Sequence, residues 1–136
     1  MADTVATQTL LDGERLVIQK FTNISDGTGE AAVNKIIVSG LAASAAGFAC
    51  NGVKINKIWA NTHGMQVRIL WDATTDLLTW MIPQNVSYFT DFSDFGGLTN
   101  NAGAGKTGNV AFTTSDASSG DMYTIVIECI KTYETV

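Results

Sequence analysis

The sequence predicts an all-β fold, an antiparallel β-sandwich or jelly roll of about eight strands with an extended N-terminal arm, on three observations. Short runs of β-branched and aromatic residues recur along the 136 residues, several of them alternate apolar with polar side chains, and no segment is amphipathic enough to serve as a helical crossover. Thirteen glycines and one proline, Pro83, punctuate these runs, so tight Gly, Asn and Asp turns join the elements in place of rigid linkers. Barrel closure is the alternative arrangement of the same strands.

Residues 1–13 are polar, Thr-rich and weakly periodic, the pattern of an arm that orders against a neighbour; a single domain is expected over 14–136. Arg15 to Ile24, with Leu16, Val17, Ile18 and Phe21, forms the first strand, and Ser25 to Gly29 breaks it. Lys35 to Val38 is apolar on both faces and reads as a central strand. Leu41 to Cys50 is Ala-rich, a loop with helical tendency. Asn51-Gly52 signals a turn into a strand that carries Trp59, and Thr62-His63-Gly64 turns again. Met65, Val67, Ile69 and Trp71 alternate with Gln66, Arg68 and Asp72, a period of 2 that buries one face. Leu77 to Ile82 and Val86 to Phe92 follow, separated by Pro83. Residues 93–108 lack periodicity, which marks a functional or contact loop. Val110, Phe112 and Thr114 start another strand, and Tyr123, Ile125, Ile127, Cys129 and Lys131 trace one face of the longest.

Only 15% of residues are charged, against roughly one-quarter in soluble domains. The surface is therefore rich in Thr, Ser, Asn, Gly and Ala, which suits packed assemblies. A net charge of −5 disfavours nucleic acid as a partner, because phosphate binding requires clustered Lys and Arg. No run approaches the roughly 20 apolar residues that span a bilayer, so no membrane partner is expected either. The opening Met1-Ala2-Asp3-Thr4 is unlike an export signal, which places synthesis in a cytoplasm. Cys50 and Cys129 read as buried free thiols.

The segment Gly103-Ala104-Gly105-Lys106-Thr107-Gly108 satisfies G-x-G-x-x-G in form. A phosphate loop, however, needs a glycine where Asn100 stands, a strand before it and a helix after it. The glycines are read instead as letting a long loop fold tightly. His63 is the only histidine, which leaves no material for a His metal cluster or a His-activated nucleophile. Asp91, Asp94, Asn100 and Asn101 lack calcium-loop spacing. Asp72, Asp76, Asp116, Asp121 and Glu128 carry no local catalytic signature. No catalytic residue, cofactor or metal is expected, and the protein reads as a non-enzyme. The aromatic group Trp80, Tyr88, Phe89, Phe92 and Phe95 either caps the core or supplies exposed anchors for a partner or a sugar ring.

Five further pieces of sequence stand out: Asp3-Thr4-Val5 with Thr7-Gln8-Thr9; Lys20 to Asn23 with Ser25 to Glu30; Leu70 to Thr75; Gly96 to Gly103; and Ser119 to Thr124. In these the chain resembles, nearly end to end, a family of small virion structural proteins of tailed bacteriophages, including cyanophages. The resemblance implies a capsid decoration or cement protein, located in the virion on the capsid surface. Its implied partners are the major capsid protein and further copies of itself, as a homotrimer. The arm and the Phe92 to Lys106 loop are the expected contact regions, with Thr4, Val5, Thr7, Leu10, Leu11, Phe92, Phe95, Leu98, Asn100 and Lys106 as contact residues. The alternatives are a tail, neck or baseplate component and a carbohydrate-binding module.

Overall fold

Alternating side chains give each long strand one apolar face, and two such faces closed on each other form the protein. The computed structural model describes residues 3–115 and 117–133, with the backbone alone for Phe95. Asp116 lies outside the described residues. Nine strands are present among them: β1 (Thr4–Asp12), β2 (Leu16–Ile24), β3 (Val33–Ile36), β4 (Cys50–His63), β5 (Gln66–Trp71), β6 (Leu77–Ile82), β7 (Ser87–Asp91), β8 (Val110–Ser115) and β9 (Met122–Tyr133). One sheet has the order β1-β2-β9-β4-β7 and the other β3-β8-β5-β6, and every pairing is antiparallel. The expected all-β sandwich is the observed architecture.

The pairs β2/β9, β3/β8, β4/β7 and β5/β6 nest inside one another. The chain is thus one long hairpin doubled back at β5/β6 and rolled up, so that β9 also meets β4 and β8 also meets β5. That is the eight-stranded jelly roll, and β1 is added beside β2.

The core lies between the sheets. Phe21, Phe112 and Tyr123 stack edge to face at 5.3 and 5.8 Å between ring centres, and Val67, Ile69, Trp71, Ile125 and Ile127 have no exposed surface. Cys50 and Cys129 are buried and unpaired. Along β9 the inward series from Tyr123 to Cys129 ends with Lys131. Its side chain is fully buried, and its ammonium donates to Asp12 Oδ1 at 2.7 Å and to the carbonyls of Gly13 and Ala42, each at 2.8 Å. Burial alone would pull this ammonium down, but the bonds outweigh it and its pKa stands above the ordinary lysine value.

Several local expectations are corrected. Lys35–Val38 does not sit centrally: β3 is an edge strand, with Lys35 and Ile36 buried and Val33 and Ile37 exposed. Asn51-Gly52 does not turn the chain but lies inside β4, at a register shift opposite Thr132 and Tyr133. Residues 41–49 form the expected loop, with turns and irregular chain, and only the helical tendency is not realised. The N-terminal segment is extended, as expected, but it pairs with β2 of its own chain from Thr4–Ile24 to Asp12–Val17. It has no core to cover, since a five-stranded sheet faces a four-stranded one, and Thr4 through Leu11 are exposed along both faces.

At the end of the roll opposite Lys131, a second buried polar group joins β2, β9 and the Ser25 to Glu30 turn. Glu30 Oε1 accepts from Asn23 Nδ2 at 2.8 Å and from the Tyr123 hydroxyl at 2.7 Å, while Lys35 pairs with Oε2. Burial first, then the bond to Glu30 and its negative charge, raises the Tyr123 phenol far above its ordinary value of 10.0. The native state therefore keeps a proton that the unfolded chain loses above about pH 10, and stability falls as pH rises, by about 1.4 kcal/mol per pH unit for this group. Cys129, raised by burial, acts with the same sign. Tyr123→Phe should cost about 2 kcal/mol at pH 7 through the lost charged hydrogen bond and should flatten the alkaline limb of a urea-denaturation stability curve. An unchanged limb would contradict this account.

Candidate functional site

Residues 92–109 pass from β7 to β8 over one end of the roll, and backbone geometry holds them there. After the 3₁₀ turn Ser93–Phe95, Gly96 is left-handed, and Gly97 brings the chain so close to Ile55 that a Cβ would lie 3.0 Å from its carbonyl oxygen. Leu98 then exchanges hydrogen bonds with Ile55 at 3.1 and 2.8 Å, extending the sheet past the end of β7. Farther on, Thr107 is latched to Asp72 by N–H to carbonyl at 3.0 Å and hydroxyl to carboxylate at 2.8 Å. Asn109 Oδ1 accepts from the Val38 N–H at 2.9 Å.

The glycines of the G-x-G-x-x-G run serve this latch. Gly103, Gly105 and Gly108 all have φ near +80° to +90°, with values of 87, 76 and 87°. At Gly108 a Cβ would also lie 2.2 Å from the Asn51 carbonyl oxygen, whereas at Gly103 it would meet open space. A loop precedes the run and β8 follows it, with no helix to point at a phosphate.

Between this loop and the starts and ends of β4 and β9 lies a cleft of ≈ 430 Å³. Asn100 and Lys106, two of the expected contact residues, line it with Asn51, Lys54, Thr99 and Thr132. Sequence reading missed Asn51, Lys54 and Thr132, because only the β4/β9 register brings them to the loop. Leu98 is partly buried against the core, and Phe92, expected as a contact, is 3% exposed with its ring edge-on to Trp80 at 4.8 Å. The Phe95 side chain lies outside the described residues.

The other expected contacts lie on β1. Leu10 and Leu11 sit at the cleft end of the sheet, while Thr4 and Val5 lie toward the opposite end, roughly 20 Å away at the rise of an extended strand. Val5, Leu10 and Leu11 are 46–50% exposed. Thr4 to Leu11 contains no charge, no Pro and no Gly, so this edge lacks the usual devices against pairing, apart from a bulge at Leu10.

The two open edges on the far flank, β6 and β7, adjoin each other through the turn at Pro83 to Val86. Here the aromatic group divides. Trp80, Tyr88 and Phe92 close the gap between the sheets, with Trp80 Nε1 donating to the Tyr88 hydroxyl at 2.9 Å. Phe89 instead stacks on Trp59 across the outer face, 5.1 Å between ring centres and 29° between planes. Both are exposed, as are Leu77, Leu78 and Met81 on β6.

Asp91 Oδ1 accepts from the Ser93 N–H and Asn100 Oδ1 from the Ala102 N–H, so these oxygens serve local turns. Among the described residues, no three His, Cys, Asp or Glu side chains converge as metal ligands, and no helix is long and apolar enough to cross a membrane. No protein-family model matches this chain, and no curated protein matches it in sequence.

Gly108→Ala should destabilise the protein by about 3 kcal/mol, combining left-handed strain with a backbone collision. Gly103→Ala should cost only about 1 kcal/mol, for the strain alone. Urea unfolding of the two variants compares them directly; equal costs would show that the Asn51 contact does not fix the loop.

Proposed function

We propose that the protein is a non-enzymatic structural component of a virus particle, a decoration or cement protein that binds the outer capsid where major capsid subunits meet, as a homotrimer. The observation that carries the assembly reading is the edge strand β1, whose first eight residues, Thr4 to Leu11, are uncharged and exposed on both faces. Such a strand offers free N–H and C=O groups to another chain and is normally shielded when it has no partner. The apolar β6/β7 flank supplies a second surface of the kind that marks association. A jelly roll is shared by viral coat proteins and lectins among others; this is support by analogy of fold. Many weak contacts repeated over a shell would add up through avidity.

The first test is the copy number in purified particles, relative to the major capsid protein, by quantitative mass spectrometry. A ratio near one, or a large simple fraction, is expected; a few copies per particle would assign the protein to the tail, neck or baseplate instead. Val5→Lys with Leu11→Lys should lower that copy number while leaving the unfolding free energy within about 1 kcal/mol, because both side chains are exposed. Undiminished occupancy would remove β1 from the interface.

A carbohydrate-binding reading has one observation in its favour. The Trp59–Phe89 pair stands on an open sheet face with Asn61, Ser87 and Thr124 around it, an aromatic surface beside hydrogen-bonding groups. On a glycan array this reading requires a signal that Trp59→Ala abolishes, and a blank array rejects it.

A further inference from the structure

The cleft at the loop end differs from the rest of the surface in the hydrogen-bonding character of its lining. No carboxylate lines it, although the chain carries 13 acidic residues against 8 Lys and Arg. Two of those eight basic residues, Lys54 and Lys106, line it together, and neither has an ion pair among the described residues. Three side-chain acceptors of the lining each already hold a hydrogen bond. Asn51 Oδ1 takes the Thr132 hydroxyl proton at 2.9 Å, Asn100 Oδ1 takes the Ala102 N–H at 3.1 Å, and Thr107 Oγ1 takes the Asn109 N–H at 3.2 Å while donating to Asp72.

What the lining offers a ligand is mainly donors: two ammonium groups, the Asn51 and Asn100 amides, and the Thr99 hydroxyl, which can donate or accept. The Asn100 amide orientation follows from its bond, since flipping it would set nitrogen against the Ala102 N–H, whereas the Asn51 bond to the Thr132 hydroxyl is compatible with either orientation. A lining rich in donors, with two positive charges and no carboxylate, is complementary to an oxygen-rich anion and opposes a cation. The volume is at the small end of ligand sites, and the lysine stems furnish apolar wall between the polar groups.

We infer that this cleft binds a small oxyanion, a carboxylate, sulfate or phosphate group borne on a body no larger than a sugar. Lys54 and Lys106 neutralise its charge, and the Asn51 and Asn100 amides orient it. This goes beyond the assembly role and does not depend on it: the cleft lies away from the β6/β7 flank, and β1 contributes nothing to its lining.

The test is a titration of the intact protein, followed by amide NMR at constant ionic strength, with sodium sulfate, inorganic phosphate, glucuronate, glucose and a hexaglutamate peptide. Saturable shifts confined to amides 51–54, 99–108 and 132 are expected with the three small anions, with dissociation constants on the order of millimolar. Inorganic phosphate or sulfate binding as well as glucuronate would assign the site to the free ion, and tighter glucuronate binding to a sugar acid. Lys54→Gln with Lys106→Gln should weaken binding about tenfold or more, and an unchanged unfolding midpoint in chloride would show that the variant is folded. The inference falls if no anion saturates, if the double variant binds equally well, or if glucose binds as tightly as glucuronate. It falls also if hexaglutamate binds more than about tenfold tighter than every small anion, which would make the cleft a protein-docking surface.

Discussion

The ladder between β4 and β9 is the constraint on which the remaining structure depends. It runs from Cys50–Tyr133 to His63–Met122, along nearly the full length of the domain. β2 attaches to the free side of β9 and β7 to the free side of β4. Because neither strand is at an edge, the alternation of both is fixed: a slip by one residue would turn Ile125, Ile127 and Ile58 to solvent. The bulge between Ile55 and Lys57 lets β4 keep its apolar face inward while changing edge partner, from β7 to the loop residue Leu98. The cleft therefore owes its shape to the same ladder.

Two buried charged groups hold the two ends of the roll. Lys131 ties the Asp12–Gly13 turn and Ala42 to β9, and Glu30 ties Asn23, Lys35 and Tyr123 at the opposite end. Each has several well-placed partners, the condition under which a buried charge is tolerated, and removing one partner from such a group costs far more than the pair contributes. Their effect is positional. Both bind turns that would otherwise hang from the sheet ends with little apolar contact.

The long alternating strands were legible in the sequence. Tyr123 to Lys131 and Met65 to Trp71 bury the predicted faces, since a period of 2 states directly which side chains face inward. Even Lys131 fell on the buried face by periodicity, although its partners did not follow from it. Edge or central position was not legible: the run at Lys35 to Val38 is apolar enough for either, and which neighbours a strand acquires is decided by pairings distant in sequence. Asn51-Gly52 misled because a glycine that spares contact with Thr132 Oγ1, where a Cβ would lie at 3.0 Å, looks in sequence like a glycine that makes a turn. The lack of periodicity over 93–108 singles out the loop in sequence, and Asn100 and Lys106 are among its expected contacts. The residues that complete the cleft were invisible, lying about fifty residues upstream and twenty-five downstream. Trp59 could be placed on a strand, but its outward orientation required the bulge.

A rolled hairpin also imposes an order of events during synthesis. β2 leaves the ribosome early, yet its partner β9 begins about a hundred residues later, an interval of roughly 5–20 s at ordinary elongation rates. In that time β2 and β4 have made no ladder with each other, because β9 is the strand that belongs between them. β5/β6 and then β4/β7 can pair as they emerge, and β8 completes the four-stranded sheet only shortly before β9 begins. The β1/β2 hairpin must wait with an apolar face uncovered. A chain built this way is most exposed to neighbouring chains until β9 is made, because β9 is the strand that joins β2 to β4 and closes the five-stranded sheet.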